Sequence, residues 1–173
     1  LGDCMDEPDR ASLMLFNGVF GGEVTSKLFV NVRERLQLCY YASSMIDVHK
    51  GLLIVSSGID FDRFEAARDE IFAQLDEIRN GNLSDEELES ARAVALSDNR
   101  AMLDSPGEIE SWCFDNIIDG LDCTSEEFGE QLKAVTKEDV ISVAKSVVPD
   151  MIYFLKNGDE ESLPEEEDYA DEL

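Results

Sequence analysis

Apolar residues recur at helical spacing from the start of the chain, with Leu13, Phe16 and Phe20 on one face behind Asp9, a residue type that caps helix starts. Gly21 and Gly22 interrupt this helix, because paired glycines leave the backbone unrestrained. A second short helix follows, with Leu28, Phe29, Val32 and Leu36 on one side. The periodicity then becomes strand-like. Residues 39–47 and 52–59 are rich in aromatic and β-branched side chains, with Asp47 to Gly51 between them, and predict a β-hairpin. The second strand is more uniformly apolar, which places it centrally in a sheet.

Helical spacing returns at Phe61, Phe64, Ile71, Leu75 and Ile78, and Asn80-Gly81-Asn82 stops it. Ser84-Asp-Glu-Glu87 is a capping box that starts a helix carrying Leu88, Ala91, Ala95 and Met102. Ser105-Pro106-Gly107-Glu108 starts the next, with proline in the first turn, and this helix is expected to bury Ile109, Trp112 and Ile117. Thr124-Ser-Glu-Glu127 and Thr136-Lys-Glu-Asp139 start two more, the last with Val140, Val143, Ala144 and Val147. Met151 to Leu155 reads as a short strand returning to the hairpin. Strands and helices in runs, without regular alternation, predict an α+β fold with helices on one face of a mostly antiparallel sheet. One further strand before Asp9 would complete that sheet.

Charge refines this picture. The 173 residues hold 14 basic and 40 acidic side chains, a net charge of −26. Nine of the acids lie between Asp159 and Glu172 with no base among them, so 159–173 is expected to be a disordered tail beyond a single domain spanning 1–158. The remainder is acidic too, which makes nucleic acids and anionic membrane surfaces poor partners. No apolar run reaches the roughly 20 residues that span a bilayer. Cys4, Cys39, Cys113 and Cys123 show no CxxC spacing and read as reduced thiols in a cytoplasmic setting.

The candidate chemistry is sparse. Catalytic zinc needs about three protein ligands, and this chain has one histidine, His49, in the predicted hairpin loop. HExxH and HxxEH each need two, so no metal site and no catalytic residue is assigned. Ten extended residues would part Cys39 from His49 by about 30 Å, which makes a nucleophilic pair unworkable. Asn17-Gly-Val-Phe-Gly-Gly22 has neither the lysine nor the preceding strand of a phosphate loop.

Residues 17–58 carry a resemblance. The glycine turn at 17–22 leads through Ser26-Lys-Leu-Phe29 and Arg33-Glu34 into a strand opening on Tyr40, followed by Lys50-Gly-Leu-Leu-Ile-Val-Ser-Ser-Gly58. This is similar to the signature stretch of the M16 (insulinase or pitrilysin) zinc peptidases, and it looks most like the C-terminal, non-metal-binding domain of bacterial cytosolic members. The later Thr136-Lys-Glu-Asp-Val and the ending at Gly158 also fit, so the likeness covers about residues 11–158 in order.

The resemblance implies a two-layer sandwich of the LuxS-like metallohydrolase type. It also implies that two homologous halves close around a peptide, one bearing zinc on HxxEH. This chain would be the non-catalytic half, inactive alone, walling the chamber and contacting substrate. Its partners would be the zinc-bearing half, fused or separate, and the peptide. The alternative is a proteolytically inactive structural or peptide-binding module. Arg33 and Tyr40 match an Arg and Tyr, seven positions apart, that touch substrate in the family. Arginine offers a fork of donors to carbonyls, and a tyrosine hydroxyl can donate to an oxygen that becomes negative during the reaction. Cys39 stands where a glycine is common, and neighbouring Tyr41 and Arg35 leave the choice of phenol and guanidinium open. Gly21 and Gly22 are either a helix stop or a point of close approach for a peptide or partner half.

Overall fold

The computed structural model describes residues 7–156. The acidic tail and Cys4 lie outside the described residues. The described residues form six α-helices and one hairpin: α1 (Glu7–Asn17), β1 (Tyr41–Asp47), β2 (Leu52–Gly58), α2 (Phe64–Arg79), α3 (Asp85–Ala101), α4 (Pro106–Asp119), α5 (Ser125–Ala134) and α6 (Lys137–Ser146). Two π-wound segments, Gly18–Gly22 and Leu28–Arg35, link α1 to β1. The fold is α+β, mostly helical, with a small antiparallel sheet.

α1 is the central helix, packing against α3, α5, α6 and β1. Its apolar stripe places Leu15 and Phe16 in the core and continues into the π-wound turn with Val19 and Phe20, the Phe16 and Phe20 rings stacked at 5.6 Å. Leu28 and Val32 from the second π-wound segment join them, together with Ile78, Phe128, Leu132, Val140 and Ala144. The hairpin pairs Tyr41 with Gly58 and Asp47 with Leu52. Period-2 alternation sends Ala42 and Ser44 inward onto the helices and leaves Tyr41 and Met45 outside.

Three capping boxes form where the sequence predicts them, at Ser84 with Glu87, Thr124 with Glu127 and Thr136 with Asp139. Pro106 sits in the first turn of α4, and Gly120 closes that helix with φ +69°. The opposite ends of α5 and α6 use a device that local pattern does not reveal. Arg92, almost fully buried on α3, donates to the carbonyls of Leu132 and Val135 at the end of α5. Arg79 on α2 donates to Ala144 O at 3.0 Å and Val147 O at 2.6 Å at the end of α6. A cation there satisfies orphan carbonyls and complements the helix dipole.

Several expectations are corrected. Asp9 lies within α1 (Glu7–Asn17) and not ahead of it. The helix does stop at Gly21 and Gly22 as expected, but only after the chain has rewound to π geometry at Gly18. Within the described residues β2 pairs only with β1 and is not central. Met151–Leu155 forms no strand, because Phe154 docks instead, stacking on Phe64 at 4.3 Å and meeting Phe61 at 6.2 Å. On α4 the inward positions are Trp112 and Asn116. Arg10 lies over the Trp112 ring at 4.3 Å and donates to Asn116 Oδ1 at 2.9 Å. Ile117, one position on, is turned about 100° away and is 77% exposed, and Ile109 is exposed as well.

Gly21 sets the spacing between helices and hairpin. A Cβ there would lie 2.6 Å from Ser44 Oγ, 2.7 Å from Leu28 Cδ1 and 2.8 Å from Ser44 N. Backbone cannot retreat as a flexible side chain can, so Gly21→Ala is expected to destabilise the fold by about 1–3 kcal/mol. Gly107→Ala, where a Cβ meets nothing within 4 Å, serves as the control and leaves stability unchanged or slightly raised. Urea unfolding midpoints of the two variants measure the difference.

Candidate functional site

The segment leaving the second π-wound stretch builds a shallow surface pocket. Leu36 N bonds Asn31 O at 3.1 Å, a five-residue span that widens the helix at its end. Leu38 N bonds back to Val32 O at 3.0 Å. Between them Gln37 takes φ +51°, in the left-handed region, and Arg63 Nη1 holds its carbonyl at 2.8 Å. This turn delivers Leu38, Cys39 and Tyr40 alongside the helix they came from. Tyr40 N then reaches Gly58 O at 2.7 Å, just ahead of the hairpin ladder. Arg33, Gln37, Leu38, Cys39, Tyr40 and Asp60 line the resulting pocket of about 270 Å³.

Arg33 and Tyr40 are brought together. Arg33 Nε donates to the Tyr40 carbonyl at 3.0 Å, and its guanidinium lies over the Phe29 ring at 4.5 Å. Among the described residues, its two terminal nitrogens have no hydrogen-bond partner. Arg35, the competing cation, lies 3.7 Å from Glu70 and does not line the pocket. Tyr41, the competing phenol, covers Gly58 on the outer face of the hairpin. Tyr40 is therefore the tyrosine of the pocket, and it is 69% exposed.

The Tyr40 hydroxyl has a partner within the pocket. It donates to Asp60 Oδ1 at 2.7 Å. That bond, with the carboxylate's charge behind it, raises the phenol's pKa above its ordinary value, while Arg63 opposes the shift. Gly21 is buried against Ser44 and Leu28, and Gly22 faces Asn17; neither lines the pocket. Gly21 serves packing here, and a Cβ at Gly22 would lie 2.6 Å from Asn17 Nδ2. Asp60 is the pocket residue that sequence reasoning missed. It follows a strand in which nothing marks a carboxylate for a partner 20 positions upstream.

His49 is also more than a loop residue. Its Nε2 lies 3.2 Å from Asp115 Oδ1 and its Nδ1 3.0 Å from Asp119 Oδ1, which ties the hairpin turn to α4. Asp115 and Asp119 share one helix face at i, i+4, and that spacing was the available signal. Cys39 is half-buried at the pocket, and none of Cys39, Cys113 and Cys123 is in a disulfide.

Fold and site define an α+β domain with a polar surface pocket and, among the described residues, no group of three or more His, Cys, Asp or Glu side chains placed to hold a metal ion. No described helix is long and apolar enough to cross a membrane. The family described as the peptidase M16 inactive domain matches residues 2–94, and the chain belongs to that family. It is 36% identical over 150 residues to the probable inactive metalloprotease YmfF of Bacillus subtilis, covering 87% of this chain and 35% of that protein. A conserved protein from Enterococcus faecalis superposes with a TM-score of 0.75 and 36% identity, over 79% of this chain and 32% of that one. A peptidase M16 inactive domain from Pseudomonas fluorescens shares the fold, with a TM-score of 0.72 at 20% identity, over 82% of this chain and 35% of that one. The chain thus spans about a third of the length of the curated relatives it matches.

The His49 clamp generates a pH prediction. The bond to Asp115 raises the imidazole's pKa above its ordinary 6.5, loss of solvent acts against it, and Asp119 adds to the rise. A raised folded-state pKa means the clamp contributes stability that is fully present below 6.5 and is lost as pH climbs through the folded value. His49→Gln is therefore expected to lower the urea midpoint more at about pH 5.5 than at about pH 8.5. An equal loss at both would show that imidazole charge has no part in it.

Proposed function

We propose that this domain is the non-catalytic half of an M16-type zinc metallopeptidase. It walls the peptide chamber and contacts substrate opposite a zinc-bearing half, fused or separate. The observation that carries this reading is the pocket in which Arg33 and Tyr40 meet, with the terminal Arg33 nitrogens unpaired among the described residues. A guanidinium braced at Nε and resting on an aromatic face is held in one plane, ready to bond a peptide carbonyl. In this reading the zinc and its chemistry belong to the other half, and this chain's share is to bind and orient. The two-layer sandwich belongs to the same reading, with the β1–β2 hairpin as one part of a larger antiparallel sheet. Gly21 and Gly22 contribute indirectly, by seating the hairpin. The net charge of −26 makes nucleic acid and anionic membrane surfaces poor partners, and the cytoplasmic setting read from the cysteines belongs to the same proposal.

A second reading has its own support. YmfF is described as a probable inactive metalloprotease, so the full protein can be a binding or structural module that cleaves nothing.

One set of measurements separates them. Joined to a half that carries HxxEH, the domain should complete a zinc-dependent peptidase. Arg33→Ala should then lower kcat/KM by about tenfold or more, on the order of 1.4 kcal/mol. Full activity in both Arg33→Ala and Tyr40→Phe would rule out the contact role. Peptide binding without any cleavage by the zinc-loaded assembly would favour the second reading.

A further inference from the structure

Tyr40 has one hydroxyl proton and two oxygen lone pairs. The proton is committed to Asp60 Oδ1 at 2.7 Å. Asp60 stands at the start of the Phe61–Arg63 turn, where a side chain of its type often caps an amide, yet it takes none. Only its backbone carbonyl serves the turn, accepting from Arg63 N at 3.0 Å. Tyr40 is the hydrogen-bond partner of the Asp60 carboxylate among the described residues. Tyr40 is thereby pinned at three points: its amide on Gly58 O, its carbonyl under Arg33 Nε, and its hydroxyl on Asp60. An exposed phenol without that third point would sample rotamers and lose that freedom on binding.

The geometry points to Asp60 as the positioning residue of this pocket. By accepting the Tyr40 proton it fixes the ring and leaves Tyr40 Oη with only lone pairs to offer. Arg33 and Tyr40 then form a donor and an acceptor on one pocket wall, the complement of the C=O and N–H of an extended peptide backbone. Such a pair reads main chain and is indifferent to side chains. It also favours internal backbone over a terminal carboxylate, whose charge meets that of Asp60. This inference deepens the chamber-wall reading, and its peptide part rests on it.

Two arms test it. In the intact chain labelled with [13Cζ]tyrosine, Tyr40→Phe identifies the Tyr40 resonance, and Asp60→Asn is followed through an alkaline titration. The Tyr40 midpoint should fall toward the ordinary tyrosine value in Asp60→Asn, with an unchanged circular dichroism spectrum. An unmoved midpoint overturns the positioning role. In the second arm, the domain joined to a zinc-bearing half is assayed with an unstructured fluorogenic peptide and a series N-methylated at successive backbone amides. Methylation at one amide should lower kcat/KM about tenfold in the native protein. That penalty should vanish in Tyr40→Phe and shrink in Asp60→Asn. A penalty that persists undiminished in Tyr40→Phe overturns the acceptor role. If Tyr40→Phe leaves all kinetics flat while the resonance still shifts, the substrate-contact reading fails and the peptide part falls with it, but the Asp60–Tyr40 lock stands.

Discussion

At Gly21 the backbone of the π-wound turn comes so near β1 that any side chain would collide with Ser44 and Leu28. That contact sets the distance between the helical layer and the hairpin. The same closeness lets Ser44 Oγ donate to Asn17 Oδ1 at 2.8 Å across the seam. With β1 held there, the residue just before it, Tyr40, has no choice but to emerge beside the end of the Leu28–Arg35 segment. Arg33 needs only its own length to reach the Tyr40 carbonyl. The pocket is thus a consequence of how tightly the two layers close, and π winding supplies the extra residue in the turn that makes the closure possible.

The helices behind the hairpin are organised by arginines, one buried and one half-buried, as much as by apolar packing. Arg92 and Arg79 each reach out of a long helix to close the C-terminal end of a shorter one. An unpaired guanidinium at the depth of Arg92 would be costly, and orphan carbonyls at a helix end packed against a neighbour would be costly too. Each solves the other's problem, and the pairing fixes how α5 and α6 stack on α3 and α2. Two further cations also tie elements together: Arg10 holds Trp112 and Asn116, and Lys27 reaches Glu87 at 2.8 Å.

The pocket joins these layers to the proposed role. Its polar groups are already braced by one another, Arg33 on Tyr40, Tyr40 on Asp60, Arg63 on Gln37. Preorganised donors and acceptors lose little freedom when a ligand arrives. A domain with no metal cluster among its described residues can still contribute to recognition in this way. Membership of the peptidase M16 inactive-domain family gives that arrangement its context.

Local chemistry alone determined the parts of this protein that depend on near neighbours. Helical and strand periods, three capping boxes, the proline start of α4 and the hairpin at 41–58 all follow from residues within a few positions of one another. The Arg33–Tyr40 pair was legible through its resemblance to a family motif, and a single histidine already denied the chain a two-histidine zinc motif. Tertiary structure decided what distance along the chain conceals. It chose Tyr40 over Tyr41, assigned Asp60 to the hydroxyl, and gave His49 two partners 66 and 70 positions away. It also turned Met151–Leu155 from a strand into a segment anchored by Phe154 on α2. A side chain's sequence neighbourhood sets its conformation, but its partner is whichever group the closed layers bring within about 3 Å, and that is a property of the packing.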